Sequence, residues 1–183
     1  MDFWTQLARY SFYELEDYTL RPLNYGDAAD FYHISADKDH LEFIFPRTPS
    51  KEESDYLFVH AFLKNPLGSW AICDKKIGKM IGVIRFEKIQ LSQFSAEIAY
   101  FLKYEFRNKG LMTEVVKNIV FLAFTEFDLK ELNIITHLEN KASQRVAKKA
   151  GFQLKKQFKG SDRYSHKMRD YLLYQLKVGK NHE

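Results

Sequence analysis

The chain has 183 residues, is 45% hydrophobic and 16% aromatic, and carries one cysteine and a formal net charge of +4. That length and apolar content suit one globular domain over residues 1–183 rather than a disordered chain, and a lone Cys73 excludes an intramolecular disulfide and suggests a reducing, cytoplasmic home. The mild basicity suits a polyanionic ligand without being a nucleic-acid signal, the opening MDFWTQLARY lacks the apolar run of a signal peptide, and no run of about 18 apolar residues is present to span a membrane.

Residues 1–17 are rich in aromatics (Phe3, Trp4, Tyr10, Phe12, Tyr13). They read as an extension packed over the domain surface, with a dimer contact as the alternative, so monomer and homodimer both stay open. Tyr18–Leu23 reads as a strand ended by Pro22. Asn24–Asp27 is a turn of capping residues that leads into a short helix ending near Ser35. Residues 37–49 are irregular and hold Phe43, Phe45, Pro46 and Pro49. Ser50-Lys-Glu-Glu53 fits a capping box that opens a helix to about Lys64, with Tyr56, Leu57, His60 and Leu63 on one face.

Ser69–Cys73 and Lys79–Ile89 read as an antiparallel hairpin. Ala96–Leu102 is an apolar strand interrupted by Glu97. A polar turn follows and closes on Gly110, and a helix runs from about Thr113 to Phe127 with Val115, Val116, Ile119, Val120, Ala123, Phe124 and Phe127 on its apolar face. Leu132–Leu138 is a strand expected to lie parallel to Ala96–Leu102 across that helix, a βαβ unit. Ser143–Ala150 is a short helix with Ser143 as a candidate N-cap and Gly151 as its stop. Phe152–Lys159 and Tyr171–Val178 are further strands joined by the polar loop Gly160–Asp170. Residues 179–183 read as a loose tail. Repeats, low-complexity runs and linkers are absent from the sequence.

The stretch from Ala96 to Val116 organises the rest. A strand, a basic glycine-containing turn and the start of a helix form an arrangement that binds phosphate. The first helical amides have no partner within the helix and the helix dipole puts partial positive charge there. Gly110 lets the backbone approach an anion without a Cβ in the way, and Arg107 and Lys109 add charge. Taken alone, such a turn is equally often a plain connection.

The segment Arg107-Asn108-Lys109-Gly110-Leu111-Met112 resembles the acetyl-CoA signature of the GNAT superfamily of N-acetyltransferases, Gln/Arg-x-x-Gly-x-Gly/Ala, with Met112 where Gly or Ala is usual. A second block, from Asn140 through Ser143, Val146, Lys149 and Gly151 to Phe152, resembles the Asn-x-x-Ser-x-x-Val-x-x-Lys-x-Gly-Phe pattern of the branch that holds the ribosomal-protein N-terminal acetyltransferases. The resemblance runs from about Tyr18 to Val178. It implies an α/β (α+β) fold with a mixed, mostly antiparallel, splayed central sheet flanked by helices. It also implies acetyl-CoA as co-substrate and a primary amine as acceptor, either a protein N-terminus or a small molecule such as a polyamine, an antibiotic or an amino-acid derivative.

In such a fold the coenzyme's diphosphate would meet the turn Arg107, Asn108, Lys109, Gly110, Leu111, Met112 and Thr113. Its pantetheine arm would add to the strand edge at Tyr100, Phe101 and Leu102 through backbone groups, and Asn140 would bond the arm with its side chain. Ser143 matches the serine that this branch places beside the thioester sulfur. Ala147 stands where many relatives carry a tyrosine acid, which removes that donor.

Two carboxylates are candidate bases for the amine. Glu97 sits among apolar neighbours in the strand, where burial would raise its pKa, and solvent exposure is the plain alternative. Asp162 falls where the ribosomal-protein branch carries a proposed catalytic glutamate, and a solvated loop carboxylate is the plain alternative. The acceptor surface is expected along Phe43–Pro49, the Ser50 helix and the Gly160–Asp170 loop. The histidines are scattered without cysteine partners or His-x-x-x-His spacing, so no metal is expected. Two rivals remain: a non-catalytic acyl-CoA-binding module, and a nucleic-acid binder using Lys141, Arg145, Lys148, Lys149, Lys155 and Lys156, a cluster more simply read as a solvated face.

Overall fold

The computed structural model describes residues 1–37 and 44–179. Its elements run α1 (Phe3–Arg9), β1 (Tyr13–Glu14), β2 (Tyr18–Arg21), α2 (Ala28–Ser35), α3 (Lys51–Phe58), β3 (Ser69–Asp74), β4 (Lys79–Gln90), β5 (Ser95–Leu102), α4 (Leu111–Thr125), β6 (Glu131–His137), α5 (Lys141–Lys149), β7 (Gln153–Ser161) and β8 (Met168–Lys177). The chain divides into two compact units: Met1–Arg85 with Tyr100–Lys109, and Phe86–Ala99 with Gly110 onward. Strands β4 and β5 each run through both. Among the described residues no helix is long and apolar enough to cross a membrane.

In the first unit the strands follow the order β1-β2-β3-β4, and β1/β2, β2/β3 and β3/β4 are antiparallel. The expected extension carries helix α1, capped by the Asp2 side chain on Thr5 N at 3.1 Å. Phenylalanines from α2, α3, the segments beside α3 and the end of β5 make the core: Phe31 stacks on Phe58 at 4.8 Å and Phe45 meets Phe101 edge-on at 5.0 Å. Such ring pairs add about 1 kcal/mol each beyond their burial. Asp27, nearly fully buried, is held by the forked Arg21 guanidinium at 2.9 and 2.5 Å and by Asn24 N at 3.0 Å. A buried carboxylate persists only with such partners.

The capping box at Ser50 is present, with Glu53 N bonded to Ser50 Oγ at 3.2 Å. The inward face of this helix differs from the expected one. Ser54, Phe58 and Phe62 are buried, whereas Tyr56 is 68% exposed and stacks on His60. A π-helical turn over Val59–Leu63 continues α3, with Lys64 N bonded five residues back to Val59 O. That turn affects only the residues from Val59 onward; the inward face is already set before it, by Ser54 against Ser35 and Phe58 against Phe31.

In the second unit the strand order is β4-β5-β6-β8-β7. β6/β8 and β7/β8 are antiparallel, and β5/β6 is parallel, with α4 as the crossover. The expected mixed, mostly antiparallel architecture is therefore observed. Leu111, Met112, Val115, Val116, Ile119, Leu122 and Ala123 form the buried stripe of α4. The polar loop expected over Gly160–Asp170 shrinks to a tip at 162–167, because β7 and β8 stay paired as far as Ser161↔Met168.

Candidate active site

The parallel pair is short. Its register joins Ser95, Ala96 and Glu97 to Glu131, Leu132 and Asn133 and stops there. Both strands go on. β6 stays paired to β8 on its other side up to His137↔Tyr171, while β5 continues to Leu102. The two strands part after Glu97, and the backbone of Ile98 and Ala99 leaves register with β6. A parted edge of this kind accepts an extended ligand by strand addition. Farther along β5, Phe101 and Leu102 bury their side chains.

After β5 the chain turns into α4. Asn108 and Gly110 both adopt positive φ, at 59° and 79°. Gly110 is the N-cap, and the first bond within the helix runs from Glu114 N to Gly110 O at 3.1 Å. The amides of Leu111, Met112 and Thr113 precede it, the arrangement that suits an anion at the head of a 15-residue helix. Arg107 has a local task too: its Nε donates to Leu102 O at 2.9 Å and its guanidinium lies 5.6 Å from the Tyr104 ring. Lys109 Nζ is 5.9 Å from the Phe106 ring. Met112 is 5% exposed and points into the core, away from any ligand at the turn.

At the far end of β6, Asn140 rather than Ser143 caps α5, because its Oδ1 accepts from Ser143 N at 3.0 Å. Ser143 is thus the third helical residue, half-buried, and the expectation that it caps is corrected. The Asn140 carboxamide keeps its Nδ2 as a donor. Ala147 is fully buried. Gln144 is buried as well, and its Nε2 donates to His137 O at 3.3 Å and Leu138 O at 2.8 Å.

The candidate bases sit in different settings. Glu97 Oε1 accepts from Lys88 Nζ of β4 at 3.0 Å. Asp162, at the β7–β8 tip, takes Tyr164 N and Ser165 N on Oδ1 at 3.0 and 2.7 Å, and its Oδ2 faces His137 Nε2 at 3.4 Å. Burial is the largest influence on this carboxyl and pushes it up. The Ser165 and Tyr164 donors and His137 together outweigh it and hold the group below the usual carboxylate range. His137 is itself 8% exposed, and burial drives its imidazole below its ordinary value against the pull of Asp162 and Glu139.

The sequence reading missed His137, Gln144 and the pair Arg163–Glu87, whose two bonds measure 3.0 and 2.9 Å. Each joins residues that only the fold brings together, and no spacing along the chain signals them. Of the acceptor-surface segments, Phe43 lies outside the described residues.

Comparison with known proteins agrees with this geometry. A Bacillus subtilis protein named as the uncharacterized N-acetyltransferase YoaA is 30% identical over 84 residues, covering 46% of this chain and 48% of the relative, so the chain spans about half that relative's length. The fold matches an acetyltransferase (GNAT family) from Bacillus anthracis with a TM-score of 0.78 at 20% identity, over 91% of this chain and 98% of the other. It also matches the ribosomal-protein-S5-alanine acetyltransferase from Vibrio fischeri with a TM-score of 0.65 at 17% identity, over 94% and 99%. The acetyltransferase (GNAT) domain model matches residues 17–153, well over half of the sequence. The chain belongs to the GNAT acetyltransferase family.

Proposed function

We propose that this chain is an acetyl-CoA-dependent N-acetyltransferase that moves an acetyl group directly to a primary amine. A protein N-terminus of the ribosomal-protein type is the favoured acceptor, and a small-molecule amine is the alternative. The observation that carries the reading is the parting of β5 from β6 after Glu97↔Asn133, on the strand that leads into the glycine-headed helix α4.

The residues suit the co-substrate. The Leu111, Met112 and Thr113 amides, with Arg107, Asn108, Lys109 and Gly110 leading into them, would take the diphosphate. The β5 main chain beyond Glu97, with Tyr100, Phe101 and Leu102, would take the pantetheine amides, and Asn140 Nδ2 would add a side-chain donor. Bound acetyl-CoA supplies the thioester carbonyl, and amine and thioester held together need no covalent enzyme species. In this reading Ser143 Oγ holds a proton for the leaving sulfur. Glu97, tied to Lys88, keeps β4 and β5 together rather than taking the amine's proton. The single-domain organisation expected for residues 1–183 and a cytoplasmic setting go with this reading.

The test is thermal unfolding with acetyl-CoA and with CoA, followed by thiol release over a panel of amines and peptide N-termini. Ligand at a hundredfold excess over Kd stabilises by about 2.7 kcal/mol, so even a weak site raises the melting temperature. Turnover on peptides but not on polyamines supports the favoured acceptor, and the reverse supports the alternative. No stabilisation at millimolar coenzyme overturns the reading. Binding without transfer to any amine makes the chain a silent acyl-CoA-binding module.

A further inference from the structure

We propose that His137 takes the proton from the acceptor amine, with Asp162 as the residue that positions its imidazole. The proposal rests on the acetyltransferase reading above and adds to it the proton acceptor that neither Glu97 nor Asp162 supplies well.

The geometry comes from one unit of the chain. His137 ends β6, the strand that borders the split, and its ring is nearly buried. Nε2 lies 3.4 Å from Asp162 Oδ2. Asp162 cannot swing freely, because Tyr164 N and Ser165 N hold its other oxygen. The His137 carbonyl accepts from Asn140 N at 3.0 Å and Gln144 Nε2 at 3.3 Å, which ties this residue to the start of α5, two turns of chain that carry Asn140 and Ser143. Nδ1 faces the other way. Glu139 Oε2 is 4.0 Å from it and 65% exposed, a carboxylate on the solvent side of the ring. The Tyr171 ring packs against the imidazole at 4.6 Å, and Arg169 on β8 adds positive charge.

These placements divide the work. Asp162 holds the proton on Nε2, so the lone pair sits on Nδ1. Glu139 draws an ammonium toward that face. An imidazole held below its ordinary value of about 6.5 is neutral at pH 7 and able to accept, whereas a carboxylate held below the usual range is too weak a base to do so. The acceptor nitrogen gives one proton to Nδ1, and its freed pair forms the new C–N bond as the C–S bond breaks. It then sheds a second proton. One of the two passes from His137 to water and the other ends on the departing sulfur. The products are amide, thiol and one released proton.

The experiment is the pH dependence of kcat/KM for wild type, H137Q and D162N, on the best amine from the panel above. Wild type is expected to lose activity as pH falls through the His137 titration. H137Q should lose that limb and fall by about 10² or more near neutral pH, a typical worth of a positioned base. Its deficit should shrink as pH approaches the amine's own pKa, where the amine deprotonates unaided. D162N should lower the rate and move the acid limb to lower pH, because the histidine loses a stabilising anion. Acetyl-CoA stabilisation of each variant reports whether it is folded, and NMR titration of the His137 ring in wild type and D162N reads the same shift without turnover. An unchanged acid limb and rate in H137Q overturn this proposal alone. Absence of turnover by wild type on every amine overturns it together with the acetyltransferase reading.

Discussion

Arg163, at the tip of the β7–β8 hairpin, holds Glu87 of β4 through two parallel bonds, Nη1 to Oε1 at 3.0 Å and Nη2 to Oε2 at 2.9 Å. In the strand order β4-β5-β6-β8-β7 the hairpin and β4 lie on opposite sides of β5 and β6. The tip therefore reaches across the two strands that part. Bonding to Glu87 holds the Arg163 guanidinium well above its ordinary range, and the planar fork suits a carboxylate better than a lysine would.

Breaking this tie should loosen the tip more than the fold. R163Q is expected to cost about 1 kcal/mol of stability, since the arginine is half-exposed. Hydrogen exchange at residues 162–167 should rise several-fold while the α4 amides stay protected. KM for the amine should increase more than KM for acetyl-CoA. Unchanged exchange at the tip would count against a bridging role.

Met112 stands where a small residue is usual in the signature, yet its side chain is core. M112A should behave as a cavity mutation and cost about 2–5 kcal/mol in denaturant unfolding. The folded fraction should bind acetyl-CoA as wild type does, because Met112 contributes an amide that alanine retains. A loss of affinity without a loss of stability would contradict the inward placement.

Two glycine substitutions should fail for different reasons. At Gly82 a Cβ would collide with the Phe101 carbonyl oxygen, where β4 passes β5 closely, so G82A should destabilise by about 1–3 kcal/mol. At Gly110 the added Cβ meets open space, but φ is 79°, so G110A should cost about 1–2 kcal/mol for the left-handed backbone. Coenzyme affinity should drop in G110A, where a methyl group stands at the head of α4. Equal affinity in the two variants would remove Gly110 from the site.

Acid should weaken the fold through His137 first. Its folded pKa lies below the unfolded value of about 6.5, so the unfolded chain binds more protons between the two, and stability falls as pH drops through that window. Asp162, also depressed, contributes stability that is present above the unfolded carboxylate value and is lost as pH falls through its folded pKa. Melting temperatures between pH 7 and 5 should decline for wild type and flatten for H137Q. A parallel decline in both would assign the effect to other groups.

Local pattern carried most of the architecture. The capping box at Ser50, the apolar stripe of α4 and the crossover from β5 to β6 follow from spacing and capping chemistry that act over a few residues. Gly110 announces its own turn, because few other residues tolerate that φ. The face of α3 differs from the expected one because Ser54 meets Ser35 of α2 at 3.0 Å and Phe58 stacks on Phe31, contacts between helices that the period along one helix does not signal. The N-cap of α5 was placed three residues late, because asparagine and serine cap about equally well and only the backbone path selects Asn140.

What the amino-acid order determined is the set of elements, their succession and the anion-suited turn at Arg107–Thr113, all products of short-range forces. What only the tertiary structure decided is which distant side chains meet. His137 and Asp162 are joined by strand pairing between β6 and β8, and Glu87 and Arg163 by the reach of a hairpin over its neighbours. Those partners lie far apart in sequence, and the charge and burial that tune them exist only once the strands are paired.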